Sequence, residues 1–392
     1  MNKNKQFIKK YFGESIFDYD YNLNLTKLSK AIKNKNFMIT GASGSIGSAY
    51  VKLLLNFEPK KLFLIDINEN SLVELLREIR SSSKINTKID IYCLDITSSD
   101  FDFIFKKNKV HFIANFAAMK HVRSEENIVS ILRMIDVNIQ GTINLLNLAK
   151  KYRIKNFFSV STDKSADPIN IMGATKNFME KIMFNFSDKI TVTSARFANV
   201  LFSNGSIINS IEKKISNIQP IAFPRYVKRF FISLDEAAQI SLIASVLGKN
   251  KNIYIPKAKL RKPVEIKKVI FNYLNFNRIQ PKIFYNEKNL FKHQITPKAW
   301  SCLITEPNTS GEKIEEIYHS KSEVKVKCEF ESIDVIKIDQ NLNQRSLNYI
   351  NSSINSLRKN EKLNKKKLIT FLKKYIQNFN HKEMNKSLNS SL

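Results

Sequence analysis

The segment Phe37-Met38-Ile39-Thr40-Gly41-Ala42-Ser43-Gly44-Ser45-Ile46-Gly47 decides the fold class of this chain. An apolar run, Phe37–Thr40, predicts a β-strand that leads into a glycine-rich turn, and a helix is predicted from Ile46. Glycines allow a tight bend, a close approach of the backbone to a pyrophosphate, and close packing of helix on strand. The helix N-terminus adds unpaired N–H groups that attract phosphate. Gly-Ser runs are also common surface turns, but the strand before and the helix after are what a dinucleotide-binding turn requires.

Beyond this segment, short apolar runs alternate with helical stretches, as in a parallel sheet that is covered on both faces. The predicted strands are 37–40, 61–66, 90–94, 112–116, 157–161 and 191–197. The predicted helices are 46–56, 70–81, 128–152 and 174–186, with one more near 23–33. This order predicts an α/β fold with a Rossmann-type parallel sheet.

The chain has 392 residues, enough for a large core, and we divide it into four parts. Residues 1–35 are an N-terminal extension and 36–200 the predicted NAD(P)-binding Rossmann domain. The irregular, proline-containing part 201–340 is a smaller mixed substrate lobe, interleaved with the first domain, and 341–392 is a basic helical tail. Apolar residues at helical spacing predict that the tail docks on the protein itself. These residues are Leu368, Leu372, Tyr375, Ile376 and Phe379.

The composition is that of an ordinary globular protein, with 43% hydrophobic and 25% charged residues. The net charge of +29 would suit a nucleic-acid partner, but the charge is mostly dispersed and no nucleic-acid-binding module is recognisable. No apolar run reaches the roughly 18 residues of a membrane span, and residues 1–10 lack a signal core. Three cysteines without Cys-x-x-Cys spacing predict neither disulfides nor a metal site. We expect a cytoplasmic protein without nucleic-acid partner, membrane span or metal.

Side chains after the predicted strands complete a cofactor site. Asp66 ends the second strand, where an acid can accept hydrogen bonds from the adenosine ribose and repel a 2′-phosphate, which favours NAD over NADP. A helix cap is the alternative for this acid, since Asn68 and Asn70 also suit that role. Asp95 follows the third strand and could accept a hydrogen bond from the adenine amino group. The predicted cofactor-binding residues are Gly41, Ser43, Gly44, Ser45, Ile46, Gly47, Asp66, Asn68, Asp95, Ile96, Ala117, Ala118, Asn138 and Lys176.

The fifth strand leads into Ser161-Thr162-Asp163-Lys164, and ligands of open α/β sheets bind beyond such carboxyl ends. Met172-Gly173-Ala174-Thr175-Lys176 follows and opens a helix, which places residues 172 and 176 on one face. In isolation, Thr-Asp-Lys is better explained as a solvated loop cap. Its position after a strand and before the Lys176 helix favours a catalytic role.

Several motifs together resemble those of the bacterial polysaccharide-biosynthesis NDP-N-acetylglucosamine 4,6-dehydratases, which are extended short-chain dehydrogenases/reductases. The similar motifs are Gly41–Gly47, Ala117–Val122, Asn138 with Gly141-Thr142, Ser161–Lys164, Met172–Lys176, Arg196–Val200 and Lys228–Phe231. The similarity covers roughly residues 36–260. Weaker motifs resemble the soluble branch that serves legionaminic-acid-type nonulosonate pathways. These motifs are Ile255–Lys257, Thr309–Lys313 and Phe379–Glu383.

The resemblance also gives a meaning to Met172. Short-chain dehydrogenases carry Tyr-x-x-x-Lys where this chain has Met172 and Lys176. Methionine cannot move a proton, which by itself would indicate an inactive enzyme. In the similar family, members that retain the configuration at C5 have methionine here, whereas the C5-inverting members keep tyrosine. The resemblance therefore implies a C5-retaining enzyme.

The reaction implied by the resemblance oxidises C4 by hydride transfer to the nicotinamide, eliminates water across C5–C6, and returns the hydride to C6. Asp163 is expected to protonate the departing C6 hydroxyl and Lys164 to take the C5 proton. Both roles require pKa values nearer neutrality, raised for the carboxyl and lowered for the ammonium. Thr162 would hydrogen-bond the C4 oxygen, and Asp163 acting through Thr162 could take the C4 hydroxyl proton. Lys176 would bind the nicotinamide ribose.

Four further residues are assigned to the substrate. Lys120 and His121 follow the fourth strand and would line the sugar pocket, although a packing role explains His121 equally well. Asn199 and Arg229 are candidates to hold the diphosphate, since the forked donors of arginine suit phosphate. A surface ion pair is the alternative for Arg229. Asn138 lies in a predicted long helix, where asparagine is a poor helix former, and the resemblance implies a kink and a proton-relay water there.

We therefore expect a C5-retaining UDP- or GDP-N-acetylglucosamine 4,6-dehydratase that uses NAD, with NADP as the alternative cofactor. It would act as a homo-oligomer of two or more chains and form a 4-keto-6-deoxy sugar nucleotide for surface-glycan or nonulosonate biosynthesis. An NDP-hexose 4-epimerase is the first alternative, but epimerases need the tyrosine and lack an acid–base pair for elimination at C6. A non-catalytic NAD-binding regulator that lost its tyrosine is the second. The sequence leaves the nucleotide base undecided.

Overall fold

The structure is a computed structural model that describes residues 3–82, 85–293, 295–296, 298–306, 316–338, 344–360 and 362–382. The strands are β1 (Asn36–Thr40), β2 (Lys61–Asp66), β3 (Lys88–Cys93), β4 (Phe112–Asn115), β5 (Asn156–Thr162), β6 (Thr191–Phe197), β7 (Asn199–Val200), β8 (Ile221–Pro224), β9 (Lys228–Arg229), β10 (Phe231–Ile232), β11 (Asn252–Pro256), β12 (Val264–Glu265), β13 (Gln280–Phe284), β14 (Ala299–Thr305), β15 (Val324–Val326) and β16 (Ile333–Lys337). The α-helices are α1 (Lys3–Phe12), α2 (Asp18–Leu23), α3 (Leu25–Ile32), α4 (Ser45–Leu55), α5 (Glu69–Ser82), α6 (Phe101–Lys107), α7 (Ile128–Ile135), α8 (Gly141–Lys151), α9 (Ile171–Phe184), α10 (Ile207–Ser216), α11 (Leu234–Val246), α12 (Ile266–Phe276), α13 (Glu287–Lys292), α14 (Gln344–Arg358) and α15 (Lys365–Tyr375). The motif Thr309–Lys313 and the terminal Glu383 lie outside the described residues.

Within the described residues, nine strands form the central sheet in the order β15-β16-β11-β6-β5-β4-β1-β2-β3. The strands from β11 to β3 are parallel, and β16 pairs antiparallel with both β11 and β15. The order β3-β2-β1-β4-β5-β6 is that of a doubly wound dinucleotide-binding sheet. The prediction of an α/β fold with a Rossmann-type parallel sheet is therefore confirmed, and each predicted strand lies within two residues of its observed bounds.

The sheet is buried on both faces because its parallel strands are almost continuously apolar. Successive side chains point to opposite faces of a strand, so Met38 and Phe63 belong to one core while Phe37 and Leu62 belong to the other. The helices α7, α8, α9 and α15 contribute to the first core, and α4, α5 and α11 to the second. Both cores end at the carboxyl edge of the sheet, where the cavity described below opens.

The N-terminal extension is packed against both parts of the fold. Phe7 of α1 is fully buried in the core of the smaller lobe, where its ring makes an edge contact with Tyr273 at 5.4 Å between centroids. Leu28 of α3 lies in the second core of the Rossmann sheet. The buried Asp20 carboxylate accepts a hydrogen bond from the backbone N–H of Ser332 at 2.7 Å. The division of the chain at residues 35, 200 and 340 remains a prediction.

The basic tail forms the amphipathic helix α15, which packs on α9. The rings of Tyr375 and Phe178 stack with their centroids 4.6 Å apart. After the helix, the backbone N–H groups of Asn380 and Lys382 donate to carbonyls of the loop 168–169, at 3.1 and 3.0 Å. The tail therefore binds the loop that joins the Thr162–Lys164 segment to α9. Among the residues that the structure describes, none belongs to a helix both long and apolar enough to cross a bilayer.

Gly41 and Gly13 both have positive φ, but only Gly41 lies against other backbone atoms. Alanine substitutions at the two positions therefore separate the stability cost of a backbone collision from that of left-handed backbone strain. Gly41 has φ +67°, and a Cβ atom there would lie 2.5 Å from the Ala117 nitrogen. Gly13 has φ +82°, and a Cβ atom there would meet nothing within 4 Å. We expect Gly13→Ala to cost about 1–2 kcal/mol of left-handed strain, and Gly41→Ala to cost about 1–3 kcal/mol more because of the collision.

The measurement is the midpoint of urea unfolding, followed by circular dichroism. The midpoint should fall below that of the unsubstituted protein for Gly13→Ala and clearly further for Gly41→Ala. Equal midpoints for the two variants would show that the turn is not held against the backbone at Ala117.

Candidate active site

A cavity of about 470 Å³ opens at the carboxyl edge of the parallel sheet, between the Rossmann part and the smaller lobe. It is bordered by the turn after β1, the ends of β4 and β5, the start of α9, and the segment from β7 to α10. The predicted site residues that line it are Gly41, Gly44, Ser45, Ile46, Gly47, Ala118, Lys120, His121, Thr162, Lys164, Met172, Lys176, Asn199 and Arg229. The fold thus brings three separate predicted groups, for cofactor, chemistry and substrate, around one space.

The glycine-rich turn is built from close backbone contacts. The positive φ of Gly41 and its contact with the backbone at Ala117 leave no room for a side chain. A Cβ atom at Gly47 would lie 2.1 Å from the Gly41 carbonyl oxygen, so α4 packs directly on the turn. The N-terminus of α4 therefore points its unpaired N–H groups at the cavity, an arrangement that suits a pyrophosphate.

Asp66 and Asn68 at the end of β2 differ in role: Asn68 caps a helix, whereas Asp66 binds the glycine-rich turn. The Asn68 side chain accepts a hydrogen bond from the Ser71 N–H at 2.9 Å, so Asn68 caps the start of α5. Asp66 instead accepts from the Ser43 N–H at 3.0 Å and from the Asn68 N–H at 3.2 Å. Its carboxylate is thus attached to the glycine-rich turn, where an adenosine ribose would lie.

Asp95 does not border the cavity, and its carboxylate is already bonded within the protein. It accepts hydrogen bonds from the N–H and hydroxyl of Thr97, at 2.8 and 2.7 Å, and forms an ion pair with Arg133. Burial acts to raise the pKa of Asp95, but these partners outweigh it and hold the pKa below its ordinary value. Ile96 packs against Gly141, where a Cβ atom would lie 2.3 Å from its side chain. A contact of Asp95 with adenine stays a prediction.

The predicted helix 128–152 contains a π-helical turn, Asp136–Gln140, between α7 and α8, at the position where a kink is expected from the sequence. Asn138 lies in this turn, and its side chain bonds to both backbone groups of Met119 and to the Thr175 hydroxyl, each at 3.0 Å. Single π-turns in helices often occur at functional sites. Here the turn ties the segment after β4 to α9, which carries Lys176.

The start of α9 is held by two side chains. Asn170 accepts from the Gly173 N–H at 2.7 Å. Glu125, which the sequence did not indicate, accepts from the N–H groups of Ile171 and Met172 at 3.0 and 2.8 Å. Because both caps are buried, the first turn of α9 is fixed against the cavity. Met172 is therefore placed in the wall of the cavity by the cap itself.

Lys176 lies one helical turn beyond Met172 and is almost completely buried. Its ammonium donates to the Val160 carbonyl at 2.7 Å, which fixes it at the end of β5. Burial lowers the pKa of Lys176 to about 8, with Glu180 acting in the opposite direction. The lysine thus provides a positive charge beside the cavity that can be removed near physiological pH.

Thr162, Asp163 and Lys164 form a hydrogen-bonded group. The Thr162 hydroxyl donates to Asp163 Oδ1 at 2.8 Å, and the Lys164 ammonium lies 3.2 and 3.4 Å from the two Asp163 oxygens. The expectation of a lowered pKa for Lys164 is wrong. Burial acts to lower it, but the charges of Asp163 and Glu316 outweigh burial and raise the pKa above its ordinary value.

Glu316 is a second residue of the site that the sequence did not indicate. Its carboxylate is buried and lies 3.8 Å from the Lys164 ammonium and 3.4 Å from Nε of Arg229. Burial raises its pKa, and the nearby Asp163 charge adds to this effect. The motif Thr309–Lys313 drew attention to the preceding segment, but nothing in the local pattern singled out this glutamate among its neighbours.

The four predicted substrate residues line the cavity but differ in what they can offer. Asn199 donates through its side-chain amide to the Phe230 carbonyl at 3.1 Å and to Glu316 at 2.7 Å. Both amide hydrogens are thus used, and the remaining carbonyl oxygen would repel a phosphate. As placed here, Asn199 does not support the predicted diphosphate role. Arg229 donates through Nη1 to the Lys228 carbonyl at 2.9 Å, and its Nε faces Glu316.

Lys120 and His121 form part of the cavity wall between β4 and the smaller lobe. Burial lowers the pKa of Lys120. Burial also lowers the pKa of His121, and the charges of Lys120 and Arg123 lower it further. A Cβ atom at Gly205 would lie 2.5 Å from the His121 ring, so the imidazole of this otherwise exposed residue packs against the loop before α10. This contact favours the packing role for His121.

A second buried ion network, centred on Arg196, joins three elements of the fold next to the site. Arg196 of β6 is almost fully buried and donates to Glu180 of α9 at 2.8 and 2.6 Å. It also donates to Glu323 at 2.8 and 2.7 Å. The guanidinium thus joins the sheet, the helix that carries Lys176, and the chain segment that carries Glu316. In the described part of the chain, no cluster of three or more His, Cys, Asp or Glu side chains could hold a metal ion.

Comparisons with known proteins agree with this geometry. The sequence profile of a family described as "Polysaccharide biosynthesis protein" matches residues 37–338. A UDP-N-acetylglucosamine 4,6-dehydratase (inverting) of Campylobacter jejuni is 31% identical over 234 residues, which are 57% of this chain and 67% of that protein. Among three other curated relatives, the matched part spans from 43% to 72% of the relative's own length.

Two solved structures show the same fold. The structure of Pen from Bacillus thuringiensis has a TM-score of 0.62 and 23% identity, covering 80% of this chain and 89% of that chain. The dTDP-glucose 4,6-dehydratase of Bacillus anthracis, solved in complex with NAD, has a TM-score of 0.52 and 17% identity, covering 69% of this chain and 86% of that chain. The large parallel sheet with helices on both faces is common to all of them.

The burial of Lys176 predicts a stability change that depends on pH. Because burial favours the neutral amine, the ammonium that dominates below pH 8 destabilises the folded protein. Replacement by methionine should therefore raise the free energy of unfolding at pH 7, by at most about 3 kcal/mol. The gain should decline as the pH rises from 8 toward about 10.4, the ordinary pKa of lysine, because the amine is then neutral in both states.

The measurement is urea unfolding of Lys176→Met and the unsubstituted protein at several pH values, without added nucleotide. Lys181→Met, on the same helix and only partly buried, is the comparison: burial lowers the pKa of Lys181 too, so this variant should show a smaller change of the same sign. A stability difference for Lys176→Met that stays constant from pH 7 to about pH 10 would contradict a lowered pKa.

Proposed function

Because the chain belongs to the polysaccharide biosynthesis protein family, we propose that it is an NDP-N-acetylglucosamine 4,6-dehydratase that retains the configuration at C5. The observation that carries the proposal is that Lys164, Met172 and Lys176 line one cavity, while the buried carboxylate of Asp163 forms an acid–base pair with the Lys164 ammonium next to it. Elimination of water from C5 and C6 needs such a pair. A methionine in the place of the catalytic tyrosine supports the retaining course. The substrate would be UDP- or GDP-N-acetylglucosamine, and the product a 4-keto-6-deoxy sugar nucleotide for surface-glycan or nonulosonate biosynthesis.

NAD is the cofactor of this proposal, with NADP as the alternative. The cradle of Gly41, Gly47 and the start of α4 suits the pyrophosphate because a side chain at either glycine would fill the space. Asp66 at the end of β2 would bind the adenosine ribose hydroxyls and disfavour a 2′-phosphate. The Bacillus anthracis dehydratase, which shares the fold, was solved with NAD. Bound NAD would supply the acceptor for the hydride removed from C4 and, in its reduced form, the hydride donor for C6.

The acid–base pair can reach its working state by an internal proton transfer. In the structure, the Lys164 ammonium lies beside the Asp163 carboxylate. When substrate excludes water, the neutral forms become more favourable. Transfer of one proton from Lys164 to Asp163 then produces an amine to take the C5 proton and a carboxylic acid to protonate the departing C6 hydroxyl. This transfer replaces the separate pKa adjustments that we expected for the two groups.

The remaining groups orient the sugar. The Thr162 side chain lines the cavity next to Asp163, and its hydroxyl would hydrogen-bond the C4 oxygen. Because Asp163 then already holds the proton from Lys164, the C4 hydroxyl proton would leave through Thr162 to solvent, since Met172 offers no acceptor. Lys176 would bind the nicotinamide ribose and favour negative charge on the C4 oxygen. Lys120 and Arg229 would meet the anionic part of the substrate.

The cytoplasmic location and a homo-oligomeric state belong to the same proposal. So does the absence of a nucleic-acid partner, because the excess of positive charge is mostly dispersed along the sequence. A positive surface also attracts a diphosphate substrate.

The direct test is incubation of the purified protein with NAD and either UDP- or GDP-N-acetylglucosamine, followed by proton NMR. We expect a new C6 methyl signal with one of the two substrates and retained configuration at C5. A 4-epimerase would give an isomer without a methyl group, and a regulator would leave both substrates unchanged. Either of these results would refute the proposed activity.

The role of Lys164 is tested by replacement with methionine, which keeps the length of the side chain but removes the amine. Loss of a general base should lower product formation by about 10²–10⁴-fold. Oxidation at C4 can still occur, so near-ultraviolet absorbance of reduced nicotinamide should accumulate. Lys181→Met, outside the cavity, should behave like the unsubstituted enzyme. Normal turnover by Lys164→Met would exclude Lys164 as the base.

A further inference from the structure

Four charged side chains meet beside the cavity: Asp163, Lys164, Arg229 and Glu316. The first two belong to the segment after β5, and Arg229 to β9. Glu316 comes from a distant part of the chain and has a side chain only 3% exposed. A buried carboxylate is costly unless it is paired and hydrogen-bonded, so the partners of Glu316 determine whether its charge is stable there.

Both oxygens of Glu316 are fixed by neutral donors. Oε2 accepts from the Phe230 N–H at 2.9 Å, and Oε1 accepts from the Asn199 amide at 2.7 Å. Asn199 is itself held by the Phe230 carbonyl at 3.1 Å. The carboxylate therefore cannot rotate freely, and its Oε1 atom faces the cationic groups of the site.

The Lys164 ammonium lies close to two carboxylates, that of Glu316 and that of Asp163. Lys164 Nζ is 3.8 Å from Glu316 Oε1 and 3.2 Å from Asp163 Oδ1. Arg229 Nε is 3.4 Å from the same Glu316 oxygen and balances the second negative charge. The ammonium thus contacts two carboxylates, of which only Asp163 is next to Lys164 in sequence.

We propose that Glu316 is a positioning residue for Lys164: its carboxylate holds the lysine nitrogen at the cavity and stabilises the ammonium that forms when the lysine takes a proton. The role rests on the proposed dehydratase function, in which the C5–H bond breaks and a new N–H bond forms on Lys164. The electron pair of the broken bond is delocalised toward the C4 oxygen. Glu316 takes no proton in this step and acts through charge alone.

The charges that face Lys164 define the sign of the effect. Burial favours its neutral form, Asp163 and Glu316 favour the ammonium, and Arg229 opposes it. The groups that face Glu316 are Asp163, Lys164, Arg229 and the Asn199 amide. Removal of the Glu316 charge should therefore lower the pKa of Lys164, and removal of the Arg229 charge should raise it.

The test compares Glu316→Gln with Glu323→Gln. Glu323 is also a largely buried carboxylate of the same segment, but it binds Arg196. Protein labelled with ¹³C at the lysine ε-carbons is titrated by NMR, and the Lys164 signal is the one missing from Lys164→Arg. We expect the pKa of Lys164 to fall by about 1–3 in Glu316→Gln, as for loss of an opposite charge within 4–6 Å. It should not change in Glu323→Gln.

The enzyme reaction gives a second readout. With whichever sugar nucleotide the enzyme converts, kcat/KM is measured as a function of pH. The fall of kcat/KM on the acidic side should move to lower pH in Glu316→Gln but not in Glu323→Gln, because only Glu316→Gln changes the charge beside the base. Glu316→Asp, which keeps the charge, should restore a profile close to that of the unsubstituted enzyme. A Lys164 titration that is identical in Glu316→Gln and the unsubstituted protein would overturn the proposal.

A failure of Glu316→Gln to fold and a failure of the proposed dehydratase function give different results. If Glu316→Gln does not fold, Arg229→Met takes its place, and the Lys164 pKa must rise; a fall or no change would reject the placement of the charges. If no deoxysugar forms from either substrate, the proposed function fails. A Lys164 pKa that still falls in Glu316→Gln would in that case support the pairing of the two residues without the dehydration.

Discussion

The structure of this protein depends on the contact between the glycine-rich turn after β1 and the backbone that follows β4. Gly41 adopts φ +67° with its Cα against Ala117, and the Gly41 carbonyl touches Gly47 of the next helix. Beneath this contact, the Thr40 hydroxyl donates to the Asn115 amide oxygen at 2.7 Å, between the two paired strands. Backbone atoms thus form the floor of the cavity, and helix N–H groups remain available to an anion.

Buried charges define the opposite wall. Glu316 connects the acid–base pair to Arg229, and Glu323 of the same segment connects Arg196 to Glu180 of α9. A buried ion pair contributes little net stability, but removal of one partner leaves an uncompensated charge and costs several kcal/mol. The segment 316–323 therefore has one energetically acceptable position on the sheet edge. The tail adds a second restraint, since its backbone binds the loop 168–169 before α9.

Much of the fold and several residues of the site can be predicted from local sequence patterns. Strands β1 to β6 are short apolar runs at regular spacing, and the turn at Gly41 has a signature that depends only on neighbouring residues. Thr162 and Lys164 were identified because they follow a strand whose carboxyl end must lie at the ligand-binding edge. Glu125, which caps α9 from 46 residues away, has no such signal. The π-turn at Asn138 was expected only as a kink, since its geometry depends on bonds to Met119 and Thr175.

The amino-acid sequence by itself determined the parallel sheet, the cofactor turn and the residue types of the catalytic segment, because these rest on periodicity and on contacts between near neighbours. Only the tertiary structure decided the charge state of that segment. Burial acts to lower the pKa of Lys164, but the charge of its neighbour Asp163, joined by that of Glu316 from more than a hundred residues later, outweighs burial and raises it. For the same reason, the Asn199 amide serves a carboxylate. Electrostatic energy depends on distance in space and on burial, and neither can be read from the order of residues along the chain.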